Sequence, residues 1–155
     1  MSGQRYVAVV GPSEATAEES QGAEVVGRLL AERGAVVVCG GLGGVMEAAA
    51  RGAATTGGTV IGILPGTDRA AANRHVSVAI ATGMGEMRNA LVVRAADAVV
   101  AVGGAYGTLS EIAFALRTGV PVVGIGTWDL DDVVVAPDPE GAVSVALELA
   151  QEVRS

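Results

Sequence analysis

The sequence predicts an α/β fold: a doubly wound parallel sheet of six or seven strands in three α/β/α layers. Three observations predict it. Short, continuously apolar runs such as Tyr6–Val10 recur along the chain, and strands that are apolar throughout are strands covered on both faces. Segments rich in Ala, with apolar residues on one helical face, alternate with those runs. Glycine- or proline-bearing turns punctuate nearly every junction.

Taken in order, Tyr6-Val7-Ala8-Val9-Val10 is a buried strand stopped by Gly11-Pro12-Ser13. Thr16-Ala-Glu-Glu19 has capping-box spacing and opens a helix that runs to Arg33, with Gly34 as its C′ residue. Val25, Val26, Leu29 and Leu30 share one face of it. Ala35–Cys39 is the second strand, followed by Gly40-Gly41-Leu42-Gly43-Gly44 and a helix from Val45. Thr59–Leu64 is the third strand, ended by Pro65-Gly66. Residues 66–75 carry no period and read as a mobile loop, and Val76–Ala81 is a weaker fourth strand. Arg88 starts a further helix, and Asp97–Val102 is the next strand. The turn Gly103–Gly107 leads to a helix from Thr108 to about Thr118, ended by Gly119. Pro121–Ile125 and Val133–Ala136 are the last strands. Asp138-Pro139, an N-cap with Pro at N1, starts the terminal helix. The expected strand order is the Rossmann-like 3-2-1-4-5-6, with room for a seventh strand. Residues 1–155 are expected to form one domain, since no linker, repeat or low-complexity tail interrupts them.

Composition narrows the chemistry. The net charge of −7 gives the surface no general attraction for nucleic acid. No apolar run reaches the length of a spanning helix and no signal-peptide pattern opens the chain, so the expectation is a cytoplasmic protein with no membrane partner. All 10 basic residues are Arg. Without lysine there is no pyridoxal Schiff base and no P-loop. One Cys and one His build neither a common zinc site nor an intrachain disulfide. Cys39, at a strand end, reads as inert packing.

Three glycine turns follow strands at one sheet edge: Gly11–Ser13, Gly40–Gly44 and Gly103–Gly107. Loops beyond the carboxyl ends of parallel strands are where such folds bind ligands. Glycine lets backbone N–H groups approach an anion, and a helix N-terminus adds a positive dipole end. The convergence suits a phosphate-bearing small molecule. The residues assigned to it are Gly11, Ser13, Gly41, Gly43, Gly44, Met46, Gly104, Tyr106, Gly107 and Thr108. A nicotinamide dinucleotide is disfavoured: the first loop is Gly-Pro-Ser, Met46 stands where a third glycine is needed, and no acid follows at the ribose position.

Two charged residues flank the third turn. A first-turn arginine is disfavoured by the helix dipole, so Arg88 asks for a carboxylate or phosphate partner. Glu111 has two readings. Thr108-Leu-Ser-Glu111 is a capping box, with Thr108 as N-cap; equally, Glu111 sits just past a glycine turn where a ligand would lie. Tyr106 reads either as a packing residue or as a ring facing the ligand. His75 belongs to the irregular loop and reads as a surface residue.

Arg88 followed by a strand and then Gly-Ala-Tyr-Gly-Thr-Leu-Ser-Glu (104–111) resembles the LOG family of cytokinin-activating phosphoribohydrolases. The likeness extends to Gly40–Met46 and Gly62–Pro65, and covers most of residues 5–126. The chain is closer still to the short LOG-like branch that includes the molybdenum cofactor carrier proteins. That branch is similar in GGxGGVMEAAxxGA, in GIxPG, and in R-N-x-x-V ahead of GGxYGTxxEIA. This chain departs from the hydrolases at Gly103, where they have Pro, at Ala105, where they have Gly, at Asn89 in place of Lys, and at Glu47 in place of Gly. The resemblance implies a carrier that binds a nucleotide or the molybdenum cofactor in a Rossmann crevice. Its alternative is a nucleoside 5′-monophosphate phosphoribohydrolase, with Arg88 and Glu111 as the catalytic pair and no cofactor required. The lysine decarboxylase label attached to some relatives does not suit a chain without lysine. The resemblance also implies a homodimer or homotetramer, and the weakly charged helices 45–54 and 107–118 are the expected subunit faces.

Overall fold

A computed structural model describes residues 3–154. Seven strands form one sheet: β1 (Tyr6–Val10), β2 (Val36–Cys39), β3 (Val60–Leu64), β4 (Val78–Ala81), β5 (Ala98–Val102), β6 (Val122–Ile125) and β7 (Val134–Val135). Every pairing is parallel, in the order β4-β3-β2-β1-β5-β6-β7. Five α-helices complete the layers: α1 (Ala17–Glu32), α2 (Val45–Ala54), α3 (Arg88–Arg94), α4 (Tyr106–Arg117) and α5 (Pro139–Arg154). The expected class, a doubly wound Rossmann-like sheet, is the observed one.

Successive strand residues alternate between two cores, as the period of two requires. Val7, Val9, Val37 and Val100 pack under α1, α2 and α5. Ala8, Val10, Val38 and Val99 pack under α3 and α4, with Val92, Val93, Ile112 and Ala115.

Three expectations about the frame need correction. The fourth strand does not lie beside the first; β5 does, and β4 is the outer edge, in register with β3 from Ile61↔Val78 to Leu64↔Ala81. The β3–β4 connection holds only a 3-10 turn at Arg69–Ala71, so β4 stays next to its predecessor, and the long return through α3 brings β5 back to β1. The reversal of strand order therefore falls between β1 and β5. Nor is the 66–75 segment an unanchored loop. The Asn73 amide donates to the carbonyls of Gly41 at 3.3 Å and Leu42 at 2.9 Å, and its backbone N–H donates to Gly41 O at 2.8 Å. Finally, α2 is not a free apolar face. It is covered by α1 of the same chain, at backbone contact: a Cβ on Gly27 would stand 2.0 Å from Ala49 O, and one on Gly52 1.9 Å from Glu24 O. An Arg51–Glu24 ion pair of 3.0 Å closes that crossing.

Two helix signals are observed as read. Thr16 and Glu19 make a reciprocal capping box, with Glu19 N–H to Thr16 Oγ1 at 3.1 Å and Thr16 N–H to Glu19 Oε1 at 2.9 Å. Asp138 caps α5 through Gly141 N–H at 2.7 Å.

Candidate functional site

A cleft of about 350 Å³ opens at the carboxyl ends of β1 and β2, beside the reversal of strand order. That is within the range of small-molecule pockets and at the place where open α/β sheets bind ligands. Gly11, Pro12 and Ser13 line it from the first turn, Gly40, Leu42 and Met46 from the second, and Ala105, Gly107 and Thr108 from the third. Arg88, Asn89, Glu86, Pro65 and Glu111 complete the wall.

The first two turns are locked together. Val45 N–H, at the start of α2, donates to Pro12 O at 3.0 Å. Gly44, at φ +64°, is the N-cap of α2, and a Cβ there would lie 2.3 Å from Pro12 O. Only glycine admits both the positive φ and the contact. At Gly40 the constraint is the ligand wall itself: a Cβ would stand 2.7 Å from Nη2 of Arg88.

Arg88 opens α3 and is 8% exposed. The partner demanded by its place in the first turn is not a carboxylate. Nε donates to Ile63 O at 2.8 Å, Nη2 to Gly40 O at 3.3 Å, and Nη1 to the side-chain oxygen of Asn89. Met46 Sδ lies 3.9 Å from Nη2. The guanidinium thus ties β3, the end of β2 and α3 into one fixed cation at the cleft wall. Asn89 explains a departure noted in the sequence: an amide oxygen accepts from Arg88, whereas a lysine would present a second positive charge.

The third turn departs from its expected cap. The helix begins at Tyr106, with Ala105 as N-cap in extended conformation (φ −125°, ψ 172°) and no side-chain cap. Leu109 N–H is already bonded to Ala105 O at 3.0 Å, so Thr108 is the third helical residue and cannot serve as N-cap to Glu111. The capping box predicted at Thr108–Glu111 does not form. Both side chains are left to the cleft. Thr108 is 1% exposed and its Oγ1 has no hydrogen-bond partner among the described residues. The N–H groups ahead of Leu109 lack partners within the helix, as first-turn groups do.

Glu111 is 9% exposed, and neither of its oxygens is held by a hydrogen bond or ion pair among the described residues. Burial pushes its carboxyl up to about 7, against the pull of the Arg88 guanidinium, which lowers it. Burial likewise lowers Arg88, opposed by Glu111. Burial raises the Cys39 thiol to about 11, which makes it a poor nucleophile.

Of the residues assigned from sequence, Gly11, Ser13, Met46, Arg88, Gly107, Thr108 and Glu111 meet at this cleft. Gly41, Gly43, Gly44, Gly104 and Tyr106 do not line it. Gly41 and Gly44 shape the second turn from behind, with φ of +80° and +64°. Tyr106 is 83% exposed, so it is not a core residue; it packs against Trp128 beside the third turn. The residues missed were Asn73, which clamps the second turn, and Trp128, which stands beside the third. Asn73 gave no signal beyond being an amide in an aperiodic stretch; Trp128 is the chain's single tryptophan and sits in a turn-rich segment.

Among the described residues no helix is long and apolar enough to cross a membrane. The fold has close counterparts. A molybdenum cofactor binding protein from Rippkaea orientalis superposes with a TM-score of 0.89 at 34% identity, covering 100% of both chains. The molybdenum cofactor carrier protein of Chlamydomonas reinhardtii does so at 0.86 and 32%, covering 96% of this chain and 99% of that one. An uncharacterized Archaeoglobus fulgidus protein is 46% identical over 119 residues, 77% of this chain and 78% of that one. The model of the SLOG cluster4 family matches residues 4–152, nearly the whole described chain, and this protein belongs to that family.

Proposed function

We propose that the cleft binds a phosphate-bearing small ligand, and that this protein is a carrier of a molybdopterin-type cofactor. The observation that carries the reading is Thr108. Its hydroxyl is buried at the N-terminus of α4 without a partner, and an unsatisfied buried hydroxyl is costly unless a ligand completes it. A phosphate oxygen accepts from that hydroxyl and from first-turn N–H groups. Gly11, Ser13 and Gly107 would close around it, and Arg88 would supply a fixed positive charge. The cofactor is cargo here; the residues present fit its phosphate end. Similarity to a molybdenum cofactor binding protein and to a molybdenum cofactor carrier protein supports the choice of ligand. The cleft would hold that ligand in a homodimer or homotetramer of single-domain, cytoplasmic chains.

Native mass spectrometry of the purified protein tests this, with a pterin phosphate retained as the expected result. An empty protein whose melting temperature ignores added pterin phosphates would overturn it.

A second reading has its own observation. Glu111 is buried, unpaired and close enough to neutrality to exchange protons. In a phosphoribohydrolase it would stabilise the cationic ribosyl group or position the attacking water. Release of adenine and ribose 5-phosphate from AMP, abolished in Glu111→Gln, would establish that activity; no release would exclude it for that substrate.

A further inference from the structure

The cleft accounts for the three glycine turns but not for the aromatic pair beside the third of them. Tyr106 is the first residue of α4 and leaves 83% of its surface in solvent, so its ring adds little to the core. It is nonetheless held. It stacks on Trp128 with ring centroids 6.1 Å apart and planes 27° from parallel. Trp128 comes from the segment between β6 and β7, and its indole N–H donates to Ala105 O at 3.1 Å. Gly104 makes room for it, since a Cβ there would already stand 3.1 Å from Trp128 Nε1. The indole is therefore anchored on the third glycine turn, and the phenol is braced on the indole. The residues on either side of Tyr106, Ala105 and Gly107, line the cleft.

We propose that Tyr106, backed by Trp128, is a stacking platform for the flat heterocycle of the ligand whose phosphate lies at the N-terminus of α4. The proposal rests on the phosphate reading of the cleft and adds the chemical class: a conjugated ring, pterin or purine, carried on a phosphate ester. A ring that is already oriented loses little freedom when a ligand stacks on it, so the contact adds to affinity at low entropic cost. A sugar phosphate without a heterocycle gains nothing from this platform. The platform thus selects among phosphates, where Thr108 and Arg88 only recognise that a phosphate is there.

Calorimetric titration with neopterin monophosphate and with ribose 5-phosphate separates the two contributions. Tyr106→Ala should weaken the pterin phosphate about fivefold to tenfold, the range of one aromatic contact, and leave ribose 5-phosphate unchanged. Tyr106→Phe should restore the pterin affinity. Trp128 emission should respond to the pterin phosphate and not to ribose 5-phosphate, a signature that a change in fold stability does not produce. Equal weakening of both probes by Tyr106→Ala, or of neither, overturns the platform while leaving the phosphate site intact. A wild-type protein that binds neither probe overturns the reading of the cleft and the platform with it.

Discussion

Two stretches of this chain carry the same four-residue pattern and do opposite things. Thr16-x-x-Glu19 and Thr108-x-x-Glu111 both have the spacing of a capping box. At Thr16 the helix starts one residue later, and the two side chains satisfy each other's backbone. At Thr108 the helix has started two residues earlier, at Tyr106, because Ala105 takes the extended cap conformation at the end of the glycine turn. The same side chains then sit inside the helix, turned to a cleft, with no backbone donor left to hold. A local pattern proposes a cap; where the helix actually begins decides whether it is one. A threonine and a glutamate released from capping, and buried, are the groups on which the proposed ligand site rests.

The comparison breaks most readily at Glu111. Its raised value means that the folded state holds a proton between about pH 4.5 and 7 that the unfolded chain has lost. Stability of the ligand-free protein should therefore fall as pH rises through that window. Glu111→Gln should flatten the slope and add up to about 3 kcal/mol at neutral pH, read from urea melts at several pH values. A wild-type slope that survives the substitution would mean another group is responsible. Thr108→Val comes next. Removing an unsatisfied buried hydroxyl at constant shape should leave the free protein as stable or stabilise it by about 1 kcal/mol, while lowering phosphate affinity about tenfold. If it instead destabilises the fold and leaves binding untouched, the hydroxyl has a structural partner and the comparison collapses. Thr16→Ala has the smallest effect. It should cost about 1 kcal/mol of stability and leave ligand affinity alone, because its hydroxyl serves only α1.

Much of the molecule was legible from its residues because the causes are local. A run such as Val7–Val10 has no polar face, so it must be covered on both sides. Gly34 and Gly119 end their helices because only glycine relaxes at φ of +80° and +83°. The meeting of Arg88, Glu111 and the glycine turns was likewise legible, since parallel strands deliver their following loops to one edge. What was not legible depends on distance in sequence. The place of β4 follows from a connection that never forms an α-helix.

 That α2 packs on α1 follows from Gly27 and Gly52, whose missing side chains matter only once the two helices cross.

Function divides along the same line. Composition and motif excluded lysine chemistry and marked a glycine-rich sheet edge, because those depend on which side chains exist and how they are spaced. Three things were decided only in the folded chain. Arg88 is held by the carbonyls of Ile63 and Gly40, 25 and 48 residues away in sequence. Asn73 reaches back to the turn at Gly41 and Leu42. Trp128 comes from the segment after β6, the strand beside β5, to brace Tyr106. Each is a contact between residues that share no local period, so only the packing of the two cores brings them within reach.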